Sequence, residues 1–252
     1  MEALLRVENL TKVFPRQGRE NDTAVKDISF ALLPGEVLGM IGESGSGKTT
    51  LVNMITRLLE PTAGRIFLNG EDITCVRGRE LRRIYRSIQM VFQSPADSFD
   101  PRRTLGAGIG ESLQNYGWSA AASKKRAAQL LELCGLPASF SKRYAYQVSG
   151  GQCQRAAIAR AIAIQPRILI LDEATSALDV TIQAEILALL KKLRRELDMS
   201  YLFICHDLAL VQDFCDRVLV MHQGSIVEEG IPDEVFRCPK NEYTRRLIES
   251  AL

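Results

Sequence analysis

Short apolar stretches recur near the start of the chain and predict β-strands. Several of them alternate partly with polar residues and contain many β-branched side chains, as half-buried strands do. A polar loop, residues 16–23, separates the first two, and an Asn69-Gly70 turn follows a later one. The predicted strands are 4–10, 25–33, 36–41, 66–68 and 87–92, and a helix is predicted from Lys48 to Leu59, before Pro61.

The pattern changes between residues 94 and 166, where strand signals vanish and helical periodicity replaces it. Helices are predicted at 123–134 and 151–164. After this segment, strands and helices alternate: strand 168–171, helix 181–197, strand 201–205, helix 208–215 and strand 218–221. Short apolar strands alternating with helices predict an α/β fold with a mainly parallel sheet covered on both faces.

Composition narrows the class of protein. Lys plus Arg total 32 and Asp plus Glu total 30. A nucleic-acid-binding surface would show a clear excess of basic residues, and this near balance argues against one. The six cysteines form no CxxC pair, which favours a reducing cytosol over a zinc site or a disulfide framework. We find no signal-peptide pattern and no apolar run near the roughly 18–20 residues of a spanning helix, so any work at a membrane is expected from a peripheral subunit.

Residues 42–49 form a complete G-x-x-x-x-G-K-[ST] motif between a predicted strand and a predicted helix. Glycines let the backbone N–H groups face a phosphate chain, and the N-terminus of the following helix adds a favourable dipole. Lys48 can meet the β and γ phosphates, and the Thr49 hydroxyl can bind Mg²⁺. The alternative is a glycine-rich turn without a ligand, which the strand–loop–helix context disfavours. The predicted nucleotide-binding residues of the loop are Gly42, Glu43, Ser44, Gly45, Ser46, Gly47, Lys48, Thr49 and Thr50.

A second candidate element is the apolar strand 168–171, which ends in Asp172-Glu173. Asp172 is placed to hold Mg²⁺, and Glu173 could act as general base on an attacking water. A buried strand ending in two acidic residues is common by itself. About 120 residues after a phosphate loop, as here, it predicts the metal side of the same site.

A third element, Val148-Ser149-Gly150-Gly151-Gln152, opens a predicted helix. Ser149 is a natural N-cap, and the two glycines permit close approach of the backbone to an anion. In isolation, the simpler interpretation is a capped helix start.

Together these elements resemble the ATP-binding cassette (ABC) family over essentially the whole chain. Residues 148–152 are similar to its signature loop, and 176–179, ending at Asp179, to its D-loop. Gln93, His206 and Phe14 stand where the family has its Q-loop glutamine, its switch histidine and an aromatic ring stacked on adenine. The resemblance implies a single nucleotide-binding domain, 1–252: a P-loop NTPase (RecA-like) core with an N-terminal antiparallel β subdomain (1–93 and 167–252) and an inserted α-helical signature subdomain (94–166).

The resemblance also implies a mechanism. Two cassettes, identical or different, meet head to tail, and each of two ATP molecules lies between one phosphate loop and the partner's signature loop. Ser149, Gly150, Gly151 and Gln152 then face the partner's ATP. Glu173 positions water, His206 stabilises the transferring phosphoryl group, and Gln93 connects the γ-phosphate and Mg²⁺ to the subdomain that touches the membrane partner. Catalytic roles thus fall to Glu173, His206, Lys48 and Gln93, and Mg²⁺ binding to Thr49, Gln93 and Asp172.

Residues 92–102 and the tail Tyr243-Thr244-Arg245-Arg246-Leu247 are similar to peptide and nickel importer cassettes. They imply the ATPase subunit of a bacterial importer of a peptide, nickel or a metal–chelator complex, at the cytoplasmic face of the membrane. Its expected partners are two transmembrane permeases and an extracytoplasmic solute-binding protein, with no nucleic acid. One alternative is an accessory cassette on a soluble enzyme complex such as carbon–phosphorus lyase. A DNA- or ribosome-associated cassette is another, but the chain lacks the paired cassettes, coiled coils and zinc insertions usual there.

Overall fold

The computed structural model describes residues 2–15, 21–174 and 179–250. They fall into two compact units, which we call unit 1 (residues 1–85 and 200–252) and unit 2 (86–199). Unit 2 is one continuous segment inserted into unit 1. It includes the strands that flank the predicted helical subdomain, so the subdomain boundaries at 94 and 166 stay a prediction.

The described residues form ten strands and nine α-helices. The strands are β1 (Leu5–Phe14), β2 (Asp22–Leu32), β3 (Val37–Ile41), β4 (Ala63–Leu68), β5 (Glu71–Asp72), β6 (Ile88–Val91), β7 (Ile168–Asp172), β8 (Ser200–Ile204), β9 (Arg217–His222) and β10 (Ser225–Gly230). The helices are α1 (Lys48–Ile55), α2 (Leu81–Ser87), α3 (Leu105–Asn115), α4 (Ala120–Leu133), α5 (Gly150–Ala161), α6 (Val180–Leu197), α7 (Leu208–Phe214), α8 (Pro232–Arg237) and α9 (Glu242–Glu249).

Unit 1 contains an antiparallel sheet in the order β2-β1-β4-β5. One face carries the buried side chains Leu5, Val7 and Ile28, which explains the partial alternation of the sequence here. The β4–β5 turn at Asn69 and Gly70 has φ 51° and 78°, the conformation that a tight two-residue hairpin needs.

Unit 1 also contains the strands that position the phosphate loop. β3 lies parallel to both β8 and β9, and β10 pairs antiparallel with β9. Every residue of β3 and of β8 is buried, which accounts for their unbroken apolar composition. The loop that leaves β3 is therefore attached to a strand that is packed on all sides.

Unit 2 contains the parallel pair β6–β7 and the helices α3, α4, α5 and α6. α3 and α4 begin at serine or threonine caps: the Thr104 hydroxyl accepts from Ala107 N, and the Ser119 hydroxyl accepts from Ala122 N. Both helices pack against each other and against α5. Their buried side chains include Ile109, Leu130 and Ile158.

The structure corrects several predicted boundaries. The helix predicted to reach Leu59 ends at Ile55. Arg57 adopts φ 60°, and the N–H groups of Leu58 and Leu59 both turn back to the Asn53 carbonyl, so the chain leaves the helix early. The pattern also missed α2, α3, α8, α9 and β10. Within the described ranges, no helix is both long and apolar enough to cross a membrane.

Candidate functional site

The glycine-rich loop predicted to bind phosphate lies between β3 and α1. A Cβ on Gly42 (φ 147°) would lie 2.2 Å from the Met221 carbonyl oxygen, and one on Gly47 (φ 103°) would lie 2.3 Å from that of Ala24. Neither position has room for a side chain. Gly45 has φ 83° but no atom within 4 Å of its Cβ position, so conformation alone favours glycine there. The loop is held tightly against the strands behind it.

The loop leads directly into the N-terminus of α1. Gly47, at the N-cap, supplies no side-chain hydrogen bond to this helix. The first N–H groups of a helix have no partners within the helix, and with the dipole they form a site for an anion. This arrangement fits the phosphates of a nucleotide.

Lys48 is only 7% exposed, although it carries a charge. Its ammonium donates to the carbonyl oxygens of Gly42 (2.7 Å) and Glu43 (2.8 Å) and to the Ser46 hydroxyl (3.1 Å). The side chain therefore curls over the loop, and these three oxygens that it binds are neutral. The adjacent Thr49 is exposed, as binding of Mg²⁺ by its hydroxyl would require.

Two contacts that the sequence did not predict hold the loop from the C-terminal part of unit 1. The N–H of Gly224, in the β9–β10 turn, donates to the Ser46 carbonyl (3.0 Å). The N–H of Glu43 donates to the Tyr243 hydroxyl oxygen (3.1 Å), and the Tyr243 ring stacks on His222 with centroids 3.7 Å apart. Sequence reasoning noted Tyr243 only as part of a tail. No local signal connects residues that are 200 positions apart.

Phe14 and His206 also belong to unit 1, and both have exposed side chains. Phe14 ends β1, and the Lys12 ammonium lies 5.2 Å from its ring centroid. His206 follows β8. The next residue, Asp207, caps α7 by accepting from Ala209 N (2.9 Å) and Leu210 N (3.1 Å). Their exposure leaves both side chains accessible to a ligand.

In unit 2, the structure brings together two predicted catalytic residues, Gln93 and Glu173. The Gln93 amide donates from Nε2 to the Glu173 carboxylate (2.8 Å), across 80 residues of sequence. Glu173 has φ 47°, a left-handed conformation that costs a non-glycine residue about 1–2 kcal/mol. It directly follows β7, whose last residue, Asp172, is half-buried. Strain of this kind is concentrated at functional sites.

The predicted signature loop is a fully capped helix start. The Ser149 hydroxyl accepts from Gln152 N (3.3 Å), and the Gln152 side-chain oxygen accepts from Ser149 N (3.0 Å), which is a capping box. Ser149 and Gly150 are exposed. A Cβ on Gly151 would lie 2.6 Å from Ile182 Cγ2, so this glycine permits α5 to pack on α6.

Cys153 lies one helical turn after Ser149, and its N–H donates to the Ser149 carbonyl (2.8 Å). It is 2% exposed, and burial raises its pKa to about 11, with Arg160 acting in the opposite direction. The thiol therefore stays protonated in the core of unit 2, whereas Ser149 and Gly150 are exposed at the N-terminal end of the helix.

The predicted D-loop is described only at its end. Ser176, Ala177 and Leu178 lie outside the described residues. Asp179 occupies the N-cap of α6, is exposed and makes no side-chain capping bond, and the adjacent Val180 is 81% exposed.

The residues predicted to bind Mg²⁺ carry oxygen donors, the type that this ion prefers. Among the described residues there is no group of three or more His, Cys, Asp or Glu side chains placed to bind a metal. Mg²⁺ typically needs only one or two protein carboxylates when substrate phosphates complete its coordination. Of the residues predicted from the sequence, Asp172 supplies a carboxylate and Thr49 a hydroxyl oxygen.

Comparison with known proteins identifies the family. The sequence profile described as "ABC transporter" matches residues 25–176, more than half of the chain. The chain is 44% identical over 257 residues to the "Probable peptide ABC transporter ATP-binding protein y4tS" of Sinorhizobium fredii, covering 99% of this chain and 73% of the relative. It is 45% identical over 254 residues to the glutathione import ATP-binding protein GsiA of Salmonella typhimurium, covering 98% of this chain but only 41% of that relative.

Solved structures of ABC cassettes have the same fold as this chain. The post-hydrolysis dimer of the ATP-binding cassette MJ0796 bound to ADP and Pi superimposes with a TM-score of 0.82 at 31% identity, covering 90% of this chain and 98% of that one. CbiO1 from Clostridium perfringens, part of the ABC transporter complex cbiONQ, has the same TM-score at 28% identity and covers 100% of this chain. The predicted P-loop NTPase fold is thereby confirmed. The chain belongs to the ABC transporter family and is one of its ATP-hydrolysing cassettes.

Proposed function

We propose that this cassette energises the import of a peptide-like solute through separate permease subunits. The observation that carries the proposal is the phosphate loop, with its uncapped helix start and the Lys48 ammonium curled over it. The names of the relatives supply the solute class, since both a peptide and glutathione contain amide-linked amino acids. Neither name mentions nickel, which becomes the less favoured cargo, and none suggests an accessory role on a soluble enzyme.

In this proposal the nucleotide is bound mainly through its phosphates. Lys48 meets the β and γ phosphates, the N–H groups from Gly45 to Thr50 surround them, and the exposed Phe14 ring stacks on adenine. Thr49, Asp172 and Gln93 are the residues proposed to hold Mg²⁺, which when bound would neutralise charge on the phosphate oxygens.

Glu173 is the proposed general base. A water oxygen attacks the γ-phosphorus as Glu173 accepts its proton, and the bond to the β-phosphate oxygen breaks to leave ADP. The Gln93 amide, bonded to the Glu173 carboxylate, fixes the direction of that side chain. His206 stabilises the charge on the phosphoryl group as it is transferred.

The second half of each site is proposed to come from another cassette. Ser149 and Gly150 are exposed at the start of α5, where a helix dipole favours an anion from outside the subunit. Gly151, Gln152 and Asp179 belong to the same proposed interface. Head-to-tail pairing, with an identical or a similar cassette, would place these residues on the partner's nucleotide.

The remaining partners follow from the importer type. We propose two transmembrane permease subunits and an extracytoplasmic solute-binding protein, with the cassette attached to the cytoplasmic face of a bacterial membrane. Identification of the membrane proteins that copurify with the native cassette would test this directly. Recovery of enzyme subunits in place of permeases would contradict the importer role.

Substitution of Glu173 by glutamine tests the catalytic proposal. The amide can still accept a bond from Gln93 but cannot take a proton, so hydrolysis should fall by about 10²–10⁴-fold. ATP binding should persist, because Lys48 and the loop are unchanged. Mg-ATP should then produce a stable dimer on size-exclusion chromatography with light scattering, alone or with the natural partner cassette.

A matched control is Glu132→Gln, which removes an exposed carboxylate from α4 of the same unit and should leave the rate unchanged. Hydrolysis at the parental rate in Glu173→Gln would remove Glu173 from the base role. Loss of hydrolysis without any ATP-dependent dimer would keep the base and reject head-to-tail pairing.

A further inference from the structure

The C-terminal helix α9 reaches back to the phosphate loop through one side chain. The Tyr243 hydroxyl oxygen accepts the N–H of Glu43, the second residue of the loop, at 3.1 Å. We propose that Tyr243 is a positioning residue that holds the first turn of the loop in its nucleotide-binding conformation. The inference rests on the proposed ATPase function and concerns how its binding site is kept in shape.

Tyr243 is itself held firmly. The Asn241 side chain caps α9 by accepting from Tyr243 N (2.8 Å). The Glu228 carboxylate of β10 accepts from Lys240 N (2.8 Å) and Asn241 N (3.0 Å). Burial acts to raise the pKa of Glu228, but these N–H groups and Thr244 outweigh it, so the pKa is lowered and the carboxylate stays ionised. The segment before Tyr243 is thus fixed to the sheet that supports the loop.

The ring and the hydroxyl of Tyr243 have separate partners. The ring lies on the His222 imidazole, with an angle of 26° between their planes. Burial is the main cause that raises the pKa of the hydroxyl, so it is neutral near pH 7 and bonds Glu43 as an ordinary dipole. Removal of the oxygen alone should leave the stacked ring in place.

Both the main-chain N–H and the main-chain carbonyl of Glu43 are hydrogen-bonded. Its N–H is bound by Tyr243, and its carbonyl accepts from the Lys48 ammonium at 2.8 Å. Lys48 is also the residue that must meet the phosphates when a nucleotide binds. Lys48 therefore has to change hydrogen-bond partners when a nucleotide binds, whereas the bond between the Glu43 N–H and Tyr243 does not. It can therefore hold the loop both before and after the nucleotide is bound.

The contact is also independent of the Glu43 side chain, which is exposed. Because the bond is to the main chain, it constrains the loop itself. A better-ordered loop binds the nucleotide more tightly, since less order has to be gained on binding. The chemical step depends on other residues, so Tyr243 should affect affinity rather than turnover.

The test is Tyr243→Phe in the full chain. The KM for Mg-ATP and the Kd of a fluorescent ATP analogue should rise about 3- to 10-fold, the usual worth of one neutral hydrogen bond, while kcat stays within about twofold. Hydrogen exchange at the Glu43 amide in the nucleotide-free protein should become faster. The matched control is Tyr116→Phe, in α3's C-cap in unit 2, whose ring faces Arg86. That variant should change none of these values.

The outcomes separate the inference from the function. If kcat falls while KM and Kd are unchanged, or if Glu43 exchange is unchanged, Tyr243 does not position the loop. A lower melting temperature with normal KM, Kd and exchange would show a structural residue only and would also overturn the inference. If the parental protein fails to bind or hydrolyse ATP, the proposed function fails, while the exchange experiment still tests the contact.

Discussion

Two helices of this protein, α1 and α5, have glycine-rich N-termini. The two helix starts are built differently. α1 follows Gly47 without any side-chain cap, whereas Ser149 and Gln152 close a capping box at α5. The glycines before α1 are required by close backbone contact, at 2.2 Å for Gly42 and 2.3 Å for Gly47. At the start of α5, Ser149 and Gly150 are exposed.

The difference indicates how each start meets a phosphate. At α1 the loop is shaped in advance by its own chain, through β9, β2 and Tyr243, and no side chain caps the helix that follows it. At α5 the helix start is stable by itself and presents a small polar surface outward. This fits a loop that binds its own nucleotide and a helix start that approaches one held by another subunit.

The largest effect is expected from Lys48→Ala. It removes the charge proposed to meet the β and γ phosphates, so ATP hydrolysis should fall below detection and Mg-ATP should no longer bind tightly. Folding should be preserved, because the Lys48 ammonium contacts loop oxygens rather than the apolar core. Normal hydrolysis in this variant, measured as phosphate release, would reject the α1 loop as the nucleotide site.

A smaller effect is expected from Gly42→Ala. The added methyl would overlap the Met221 carbonyl, and φ 147° is strained for alanine, so the loop must move. We expect the Kd for Mg-ATP to rise more than tenfold and the melting temperature to fall. Gly45→Ala is the control: its Cβ position has no atom within 4 Å, so it should cost only about 1–2 kcal/mol of conformational strain. Equal effects of the two would show that close contact does not shape the loop.

Ser149→Ala addresses the second helix start. It removes a helix cap, which costs about 0.5–2 kcal/mol of stability. Ser119→Ala removes a similar cap from α4 and should cost about as much. Only Ser149→Ala should also reduce ATPase activity, by about 10- to 100-fold, if its hydroxyl bonds a phosphate of the partner subunit's ATP. Equal activity of the two variants would leave Ser149 as a cap and nothing more.

The sequence was informative where a site is local. Two elements can be recognised from consecutive residues alone. They are the segment from β3 through the loop to α1 and the apolar run ending at Asp172. The contacts between distant segments were not predictable in this way. Gln93 and Glu173 were both expected at the site, but their direct bond was not, and Tyr243 was missed as a partner of the loop because folding alone brings it there.

Two errors in the secondary structure have physical causes. α3 contains Gly106, Gly108 and Gly110, which lower its helix propensity and concealed it. Two of these glycines allow close tertiary packing of α3. A Cβ on Gly106 would lie 2.6 Å from the Ser141 carbonyl, and one on Gly108 would lie 2.9 Å from the Phe99 ring. α1 ends early because Arg57 adopts a left-handed conformation that no glycine signals.

The smallest effect concerns the buried part of α5 and is measured as protection of the Cys153 thiol from alkylation. Burial raises the pKa of Cys153 to about 11 and that of Cys134 to about 12, whereas Cys75 and Cys238 are exposed. An unperturbed thiol has a pKa near 8.5, so at pH 8 the two buried thiols should hold at most about one thousandth of their population as thiolate.

A brief iodoacetamide pulse followed by mass spectrometry should label Cys75 and Cys238 first, and unfolding in guanidinium should expose all six. Mg-ATP should not change the protection of Cys153, because only the N-terminal end of α5 is proposed to meet a nucleotide. Labelling of Cys153 as fast as that of Cys75 in the folded protein would mean that α5 is not packed into unit 2 as described, and the assignment of its N-terminus as the exposed end would have to be abandoned.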